Sequence, residues 1–132
     1  MTTWAFLYGH PGTDPHTDRT VIERDGLRTI LVPVPDESQA PVIAVELIES
    51  DAIALLELCG GFGAVDAARV IEAVHGRVPV GHVAYALESL EGAARYKAAF
   101  AVRQRALAGS GSWDVRGGRS PSPHPGPGVQ QG

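Results

Sequence analysis

The sequence predicts one small α/β domain with a mostly parallel sheet, an edge β-hairpin, three helices and a disordered C-terminal tail. Strand-like and amphipathic segments alternate along the chain, which is typical of right-handed crossovers in a parallel sheet. The runs AIALLELC (52–59) and VPVGHVA (78–84) are almost continuously apolar, as in strands buried on both faces. Residues 109–132 are nearly all Gly, Ser, Pro, Gln or charged and offer little to bury. We therefore predict a compact domain over 1–108 and a disordered tail over 109–132.

The first half of the chain predicts a strand followed by a hairpin. Residues 3–9, TWAFLYG, alternate aromatic and smaller side chains, which is the pattern of a strand. Within residues 21–34, two strand-like segments flank Asp25-Gly26, a dipeptide suited to the positive φ angles of a tight hairpin turn. Because Pro33 cannot donate to a ladder, we expect this hairpin to lie at the edge of the sheet or to end there.

The second half predicts three helices. The first runs to about residue 50 after a cap at Asp36 or Ser38, and the second covers about 64–75, before a terminating Gly76. The third covers about 89–108. Its inward-packing residues are predicted to be Leu90, Ala93, Tyr96, Phe100 and Leu107.

Composition and charge exclude several classes of protein. The 132 residues are 44% hydrophobic, which suffices for the core of one domain. A net charge of −4 and a pI near 5.7 argue against nucleic-acid binding. No apolar run approaches the roughly 18 residues of a membrane span. The single cysteine and a start without the layout of a signal peptide favour the cytoplasm. Because a short sheet leaves open edges, we expect a homodimer.

Glu57 is the first candidate for chemistry, because it interrupts an apolar strand. Burying an unpaired carboxylate costs several kcal/mol, so the side chain must be neutral, paired or facing a cavity. Ligands of parallel sheets bind at the carboxyl ends of the strands, where Glu57 lies. A structural role remains open, in which Glu57 pairs with an arginine such as Arg77 or caps loop amides.

Two histidines and a tyrosine follow other strands. His10 comes after the first strand, and His82 lies in the last one, with Tyr85 just beyond. If these strands are parallel, His10, Glu57 and His82 converge at one end of the sheet. A carboxylate beside an imidazole is suited to proton transfer near neutral pH. Each histidine taken alone is more often an ordinary loop or core residue.

A glycine-rich turn is the second candidate. Gly60, Gly61, Phe62 and Gly63 join a strand to a helix N-terminus, where backbone N–H groups bind anions. The alternative is a tight turn whose glycines adopt positive φ angles. The turn matches neither the dinucleotide fingerprint nor the P-loop, so no cofactor is expected. The residues His10, Asp14, His16 and Asp18 match no standard ligand spacing, so no metal site is predicted.

Four segments resemble a family of short bacterial proteins of unknown function. They are WAFLYGHPGTDP, VIERDGLRTILVPVPD, IALLELCGGFG with its ELCGGFG motif, and GRVPVGHVAYALESL. The resemblance covers about residues 3–100 and leaves the tail out. It implies one compact α/β domain of bacterial origin and assigns no catalytic residue.

The residues favour a small cofactor-independent enzyme of bacterial metabolism: an isomerase, lyase or cyclase that moves a proton on a small carbonyl or carboxylate compound. Glu57 would be the acid or base, with His82 as its partner. The glycine turn would bind an oxyanion, and His10 and Tyr85 would orient the substrate. The alternatives are a non-catalytic protein that binds a small anion, and a dimeric accessory protein in which Glu57 is structural.

Overall fold

The computed structural model describes residues 1–116, and the side chains of residues 1–109. Its centre is a five-stranded sheet with the order β2-β3-β1-β4-β5. Strands β3, β1, β4 and β5 are parallel, and β2 is antiparallel to β3. The predicted α/β class with a mostly parallel sheet is therefore confirmed. The strands are β1 (Thr2–Gly9), β2 (Thr20–Arg24), β3 (Leu27–Val34), β4 (Leu55–Leu58) and β5 (Val80–His82).

Three α-helices accompany the sheet, and two short 3₁₀ helices, Glu37–Gln39 and Leu87–Ser89, precede two of them. The α-helices are α1 (Ala40–Asp51), α2 (Ala64–Val74) and α3 (Leu90–Arg116). The chain divides after Ser89 into two compact units, the first with the sheet, α1 and α2, and the second beginning at α3. None of the described helices is long and apolar enough to cross a membrane.

The edge hairpin forms as the sequence predicts. Asp25 and Gly26 have φ angles of 52° and 78°, so both central residues of the turn are left-handed. Strand β2 is the edge of the sheet, and its last pair joins Thr20 to Leu31. Pro33 lies beyond that pair, where β2 no longer requires its missing N–H.

Helix α1 begins later than the cap at Asp36 suggests. The Asp36 carboxylate accepts a hydrogen bond from the Ser38 N–H at 2.8 Å and so caps the 3₁₀ helix that precedes α1. This hydrogen bonding lowers the pKa of Asp36. Pro41 lies in the first turn of α1, where its lack of an N–H costs no helical hydrogen bond.

The core lies between the sheet and helices α1 and α2. The crossovers β3–α1–β4 and β4–α2–β5 step the same way across the sheet, so right-handedness puts both helices on one side. We call this side the helix face. Its strand residues are buried, and they include Ala5, Leu7, Ile30, Val32, Leu56 and Leu58.

The opposite side, which we call the aromatic face, carries the alternate residues of each strand. Trp4, Phe6 and Tyr8 of β1 are all half-buried there. In register beside them lie Leu55 and Glu57 of β4, which are also half-buried. The Phe6 and Tyr8 rings stack with centroids 6.2 Å apart and an interplanar angle of 19°. Around Glu57 this face is therefore mainly apolar and aromatic, and its other polar residues, Thr2, Thr20, Arg24 and Thr29, lie on β1, β2 and β3.

Helix α3 differs from its prediction in length and burial. It continues to Arg116 instead of ending near Ala108. The inward packing predicted for its large side chains is wrong, because Leu90, Tyr96, Phe100 and Leu107 are exposed, and Ala93 alone of the predicted set is half-buried. Residues 117–132 of the predicted tail lie outside the described residues, and the division of the chain at residue 108 stays a prediction.

Candidate functional site

Glu57 is the polar residue of β4, and the strand pattern determines which way it points. Leu56 and Leu58 enter the core on the helix face, so alternation puts Glu57 on the aromatic face. Its register partner on β1 is Phe6, and its partner on β5 is Gly81. A Cβ at Gly81 would lie 3.4 Å from Glu57 Cγ, an ordinary contact, so the Glu57 side chain passes close over β5.

The half-buried Glu57 carboxylate has no polar partner among the described residues. It forms neither a hydrogen bond nor an ion pair with them, and Arg77 instead pairs with Glu49 at 3.5 Å. Glu57 therefore does not pair with Arg77, which was the first of its predicted structural roles. A carboxylate without a partner on an apolar surface is free to accept a proton from a bound compound.

His82 lies on the other side of the sheet from Glu57. The pairs Glu57↔Gly81 and Leu58↔His82 show that His82 shares the helix face with Leu58. Its Nε2 lies 2.9 Å from the Phe62 carbonyl oxygen, and because a carbonyl only accepts, Nε2 carries the proton. The two predicted catalytic side chains therefore do not form an adjacent acid–base pair. His82 instead holds the glycine-rich turn.

The glycines of the glycine-rich turn are not required by positive φ angles. Positive φ angles occur at Gly12, Gly26 and Gly76, and at none of the glycines of the turn. At Gly60 the reason is space, because a Cβ there would lie 2.8 Å from Cε2 of the Tyr85 ring. At Gly61 the nearest atom to a Cβ would be Cys59 Sγ at 3.4 Å, an ordinary contact.

The turn presents donors as well as space. The N–H groups of Gly60 and Gly61 donate to no described residue, while the Phe62 N–H bonds to the Cys59 carbonyl at 3.2 Å. Gly63 is the N-cap of α2 and supplies no side-chain cap. Asp66 lies in the first turn of α2, where its charge complements the helix dipole. The open donors are therefore those of Gly60 and Gly61 together with the first N–H groups of α2, which no side chain caps.

The remaining predicted residue, His10, is not joined to this group by any described contact. It is exposed, and its Nδ1 lies 3.2 Å from the carbonyl oxygen of the next residue, Pro11. A residue that the sequence did not single out, Glu37, lies at the same end of the sheet. Its Oε1 would be 3.5 Å from a Cβ at Gly9, the last residue of β1. The sequence could have indicated Glu37 through its position, because it follows just after strand β3.

In the loop between β1 and β2, the Asp14 and His16 side chains already form hydrogen bonds and ion pairs within the protein. The Asp14 carboxylate accepts hydrogen bonds from the N–H groups of His16 and Thr17 at 2.7 and 3.2 Å, which lower the pKa of Asp14. His16 Nε2 lies 2.8 Å from a Glu46 carboxylate oxygen. Among the described residues, no three His, Cys, Asp or Glu side chains group as metal ligands.

An ion-pair network fastens the same loop and strand β3 to α1. Asp51 accepts from Arg19 at 3.3 Å and from Arg28 at 3.0 Å, and its side chain is only 14% exposed. A groove of about 410 Å³ is lined there by His16, Arg19, Glu46, Ser50 and Asp51. Since most of its charged groups already pair with one another, the groove offers a ligand little unpaired charge.

Comparison with known proteins adds the family. A model described as a family of unknown function, DUF6506, matches residues 2–98. The chain belongs to DUF6506. The DUF6506 match takes in the whole sheet, the glycine-rich turn, Glu57, His82 and Tyr85, together with the first turns of α3. No curated protein and no solved structure matches the chain.

Proposed function

We propose that this DUF6506 protein is a cofactor-independent enzyme, an isomerase, lyase or cyclase, that transfers a proton on a small carbonyl or carboxylate compound. The observation that carries the proposal is the half-buried Glu57 carboxylate, which has no described polar partner and lies beside Phe6 and Leu55 on the aromatic face. Such a surface accepts the carbon skeleton of a metabolite and leaves the carboxylate available for its proton.

The glycine-rich turn supplies the second part of the proposed chemistry. Proton removal beside a carbonyl places negative charge on its oxygen, and backbone N–H groups stabilise such an oxygen. The open donors of Gly60 and Gly61 follow Glu57 by three and four residues. In this proposal His82 is a positioning residue, because its bond to the Phe62 carbonyl holds the turn. Tyr85 packs on Gly60 and limits the space beside it.

Proton exchange tests this proposal without knowledge of the full reaction. The protein is incubated in D₂O with a panel of small ketones, 2-oxo acids and β-keto acids, and loss of the acidic C–H signal is followed by proton NMR. We expect exchange on at least one compound class, and a fall of about 10²–10⁴-fold in Glu57→Gln. Glu23→Gln, which alters an exposed carboxylate on the edge strand, is the matched control and should exchange like the wild type.

Exchange that is equally fast in Glu57→Gln would contradict the role of Glu57. Two variants distinguish the proposed role of His82: His82→Ala removes the bond to the Phe62 carbonyl and should weaken exchange, whereas His82→Gln, whose side-chain amide can donate to the same carbonyl, should restore most of it.

The second candidate function is binding of a small anion without catalysis, and the unbonded N–H groups of Gly60 and Gly61 favour it. It predicts that inorganic phosphate or a dicarboxylate binds in isothermal titration calorimetry, that Glu57→Gln leaves binding intact, and that no compound exchanges in D₂O. For either function we propose a cytoplasmic homodimer of bacterial origin with a small-molecule ligand, on the sequence features given above and on the open edges of β2 and β5.

A further inference from the structure

Strand β2 is an edge strand whose residues are all exposed. It pairs with β3 on one side, and none of the described strands pairs with its other side. Val21 is 44% exposed and Ile22 49%, so an apolar side chain projects from each face of this edge. The strand contains no proline, lysine or bulge, and its pairing with β3 is uninterrupted. An edge with these properties is typical of strands that pair with another chain.

The hairpin turn determines which backbone groups of β2 point outward. A two-residue turn closes with a hydrogen bond between the residues that flank it, here Arg24 and Leu27. Because bonded and non-bonded pairs alternate along an antiparallel ladder, Ile22 also bonds to β3. The N–H and C=O groups of Val21 and Glu23 therefore point away from the sheet.

A second copy of β2 satisfies these outward groups in one antiparallel register. When Ile22 lies opposite Ile22 of the second copy, Val21 lies opposite Glu23, and each such pair exchanges both of its hydrogen bonds. A register centred on Glu23 places two glutamates directly opposite each other, which destabilises a strand pair. A register centred on Val21 leaves Glu23 opposite Arg19, which lies outside β2 and is held by Asp51.

The register centred on Ile22 also suits the side chains. Ile22 lies on the aromatic face, since it pairs with Thr29 of β3. Two Ile22 side chains opposite each other bury apolar surface that each copy alone exposes. Arg24 lies opposite Thr20 of the second copy, so the charged end of each β2 lies beside the uncharged end of the other.

We propose that β2 is an interface with a second copy of this chain, in which the two strands pair antiparallel about a two-fold axis at Ile22. The pair joins two five-stranded sheets into one and removes the open edge at β2 in both copies. The other edge, β5, offers a ladder of only three residues. This interface specifies the homodimer proposed above, and it is independent of proton transfer because it uses neither Glu57 nor the glycine-rich turn.

Disulfide formation tests the register. In the proposed pair the two residues at position 22 form a non-hydrogen-bonded pair with Cα atoms about 4.5 Å apart, which suits a disulfide. Ile22→Cys should therefore form a covalent dimer on mild oxidation, seen by non-reducing gel electrophoresis. The wild type, whose single cysteine is Cys59, should form none under the same conditions.

Two variants away from the axis test the register a second time. Val21→Cys alone should form no covalent dimer, because its counterpart lies two residues along the partner strand, about 8 Å away. The same holds for Glu23→Cys alone. The mixture of the two variants should form a covalent dimer, because Val21 lies opposite Glu23 of the second copy.

Sedimentation velocity on the full chain measures the affinity without a cross-link. One strand pair is a small interface, so the wild type is measured at about 100 μM, where we expect a dimer of twice the 13.9 kDa mass. Ile22→Lys places two ammonium groups opposite each other and should weaken the Kd at least about tenfold. Ile71→Lys makes the same change at a similarly exposed residue of α2 and should stay within about twofold of the wild type.

Each of four outcomes would overturn the proposal: a monomeric wild type, a dimer that Ile22→Lys leaves intact, an Ile22→Cys variant that forms no covalent dimer, or a Glu23→Cys variant that forms one alone. The first would also remove the homodimer proposed above, whereas the others would remove only this interface. Circular dichroism of each variant confirms that a loss of dimer is not a loss of folding.

Discussion

Replacing Glu57 by leucine is expected to stabilise this protein. Full burial of a leucine side chain is worth about 1.5–3 kcal/mol, and position 57 is half-buried against Phe6 and Leu55. The variant should therefore gain about 1 kcal/mol from apolar contact. No hydrogen bond or ion pair to a described residue is lost, so no term of comparable size opposes this gain.

Urea unfolding followed by circular dichroism measures the change in the free energy of unfolding. The matched control is Glu23→Leu, at an exposed position of β2, for which we expect a change within about 0.5 kcal/mol. A loss of about 1 kcal/mol or more in Glu57→Leu would refute the reasoning, because it would mean that the carboxylate has a stabilising partner. Stabilisation together with loss of proton exchange would identify Glu57 as a residue kept for function at a cost in stability.

Three further predictions concern other positions within residues 1–89. Asp51→Ala leaves Arg19 without an ion pair and Arg28 with only its 3.7 Å contact to Glu23, at a site where the Asp51 side chain is 14% exposed, so it should cost about 2 kcal/mol in urea unfolding. Glu49→Ala, which removes an exposed pair, should cost less than about 0.5 kcal/mol. Gly60→Ala should displace the Tyr85 ring, visible as altered ring shifts in NMR, with a small loss of stability because the ring is half in solvent; unchanged shifts would contradict the close contact. The lowered pKa of Asp14 adds stability that is present above about pH 4 and disappears as the pH falls through its value in the folded protein, so the melting temperature should fall more steeply in acid for the wild type than for Asp14→Asn.

Local signals in the sequence predict much of this fold. The Asp25-Gly26 turn and the aromatic alternation of β1 each act within a few residues, and each forms as predicted. Glu57 stands out for the same reason, because alternation within one short strand suffices to set it apart from its apolar neighbours. These features depend on contacts close in the chain and require no knowledge of what lies across the sheet.

The relation of Glu57 to His82 depends instead on register between strands. A shift of one residue in the pairing of β4 with β5 would exchange the faces of every side chain in β5, and nothing in either segment fixes that shift. The prediction that the large side chains of α3 pack inward was wrong for a different reason. Its apolar spacing suits either a core or an interface between molecules, and the sequence pattern is the same for both.

The bond from His82 to the Phe62 carbonyl joins the last strand of the sheet to the turn that precedes α2, so the two ends of the α2 crossover are fastened to each other. A substitution at position 82 would therefore loosen the turn without changing any residue of the turn itself.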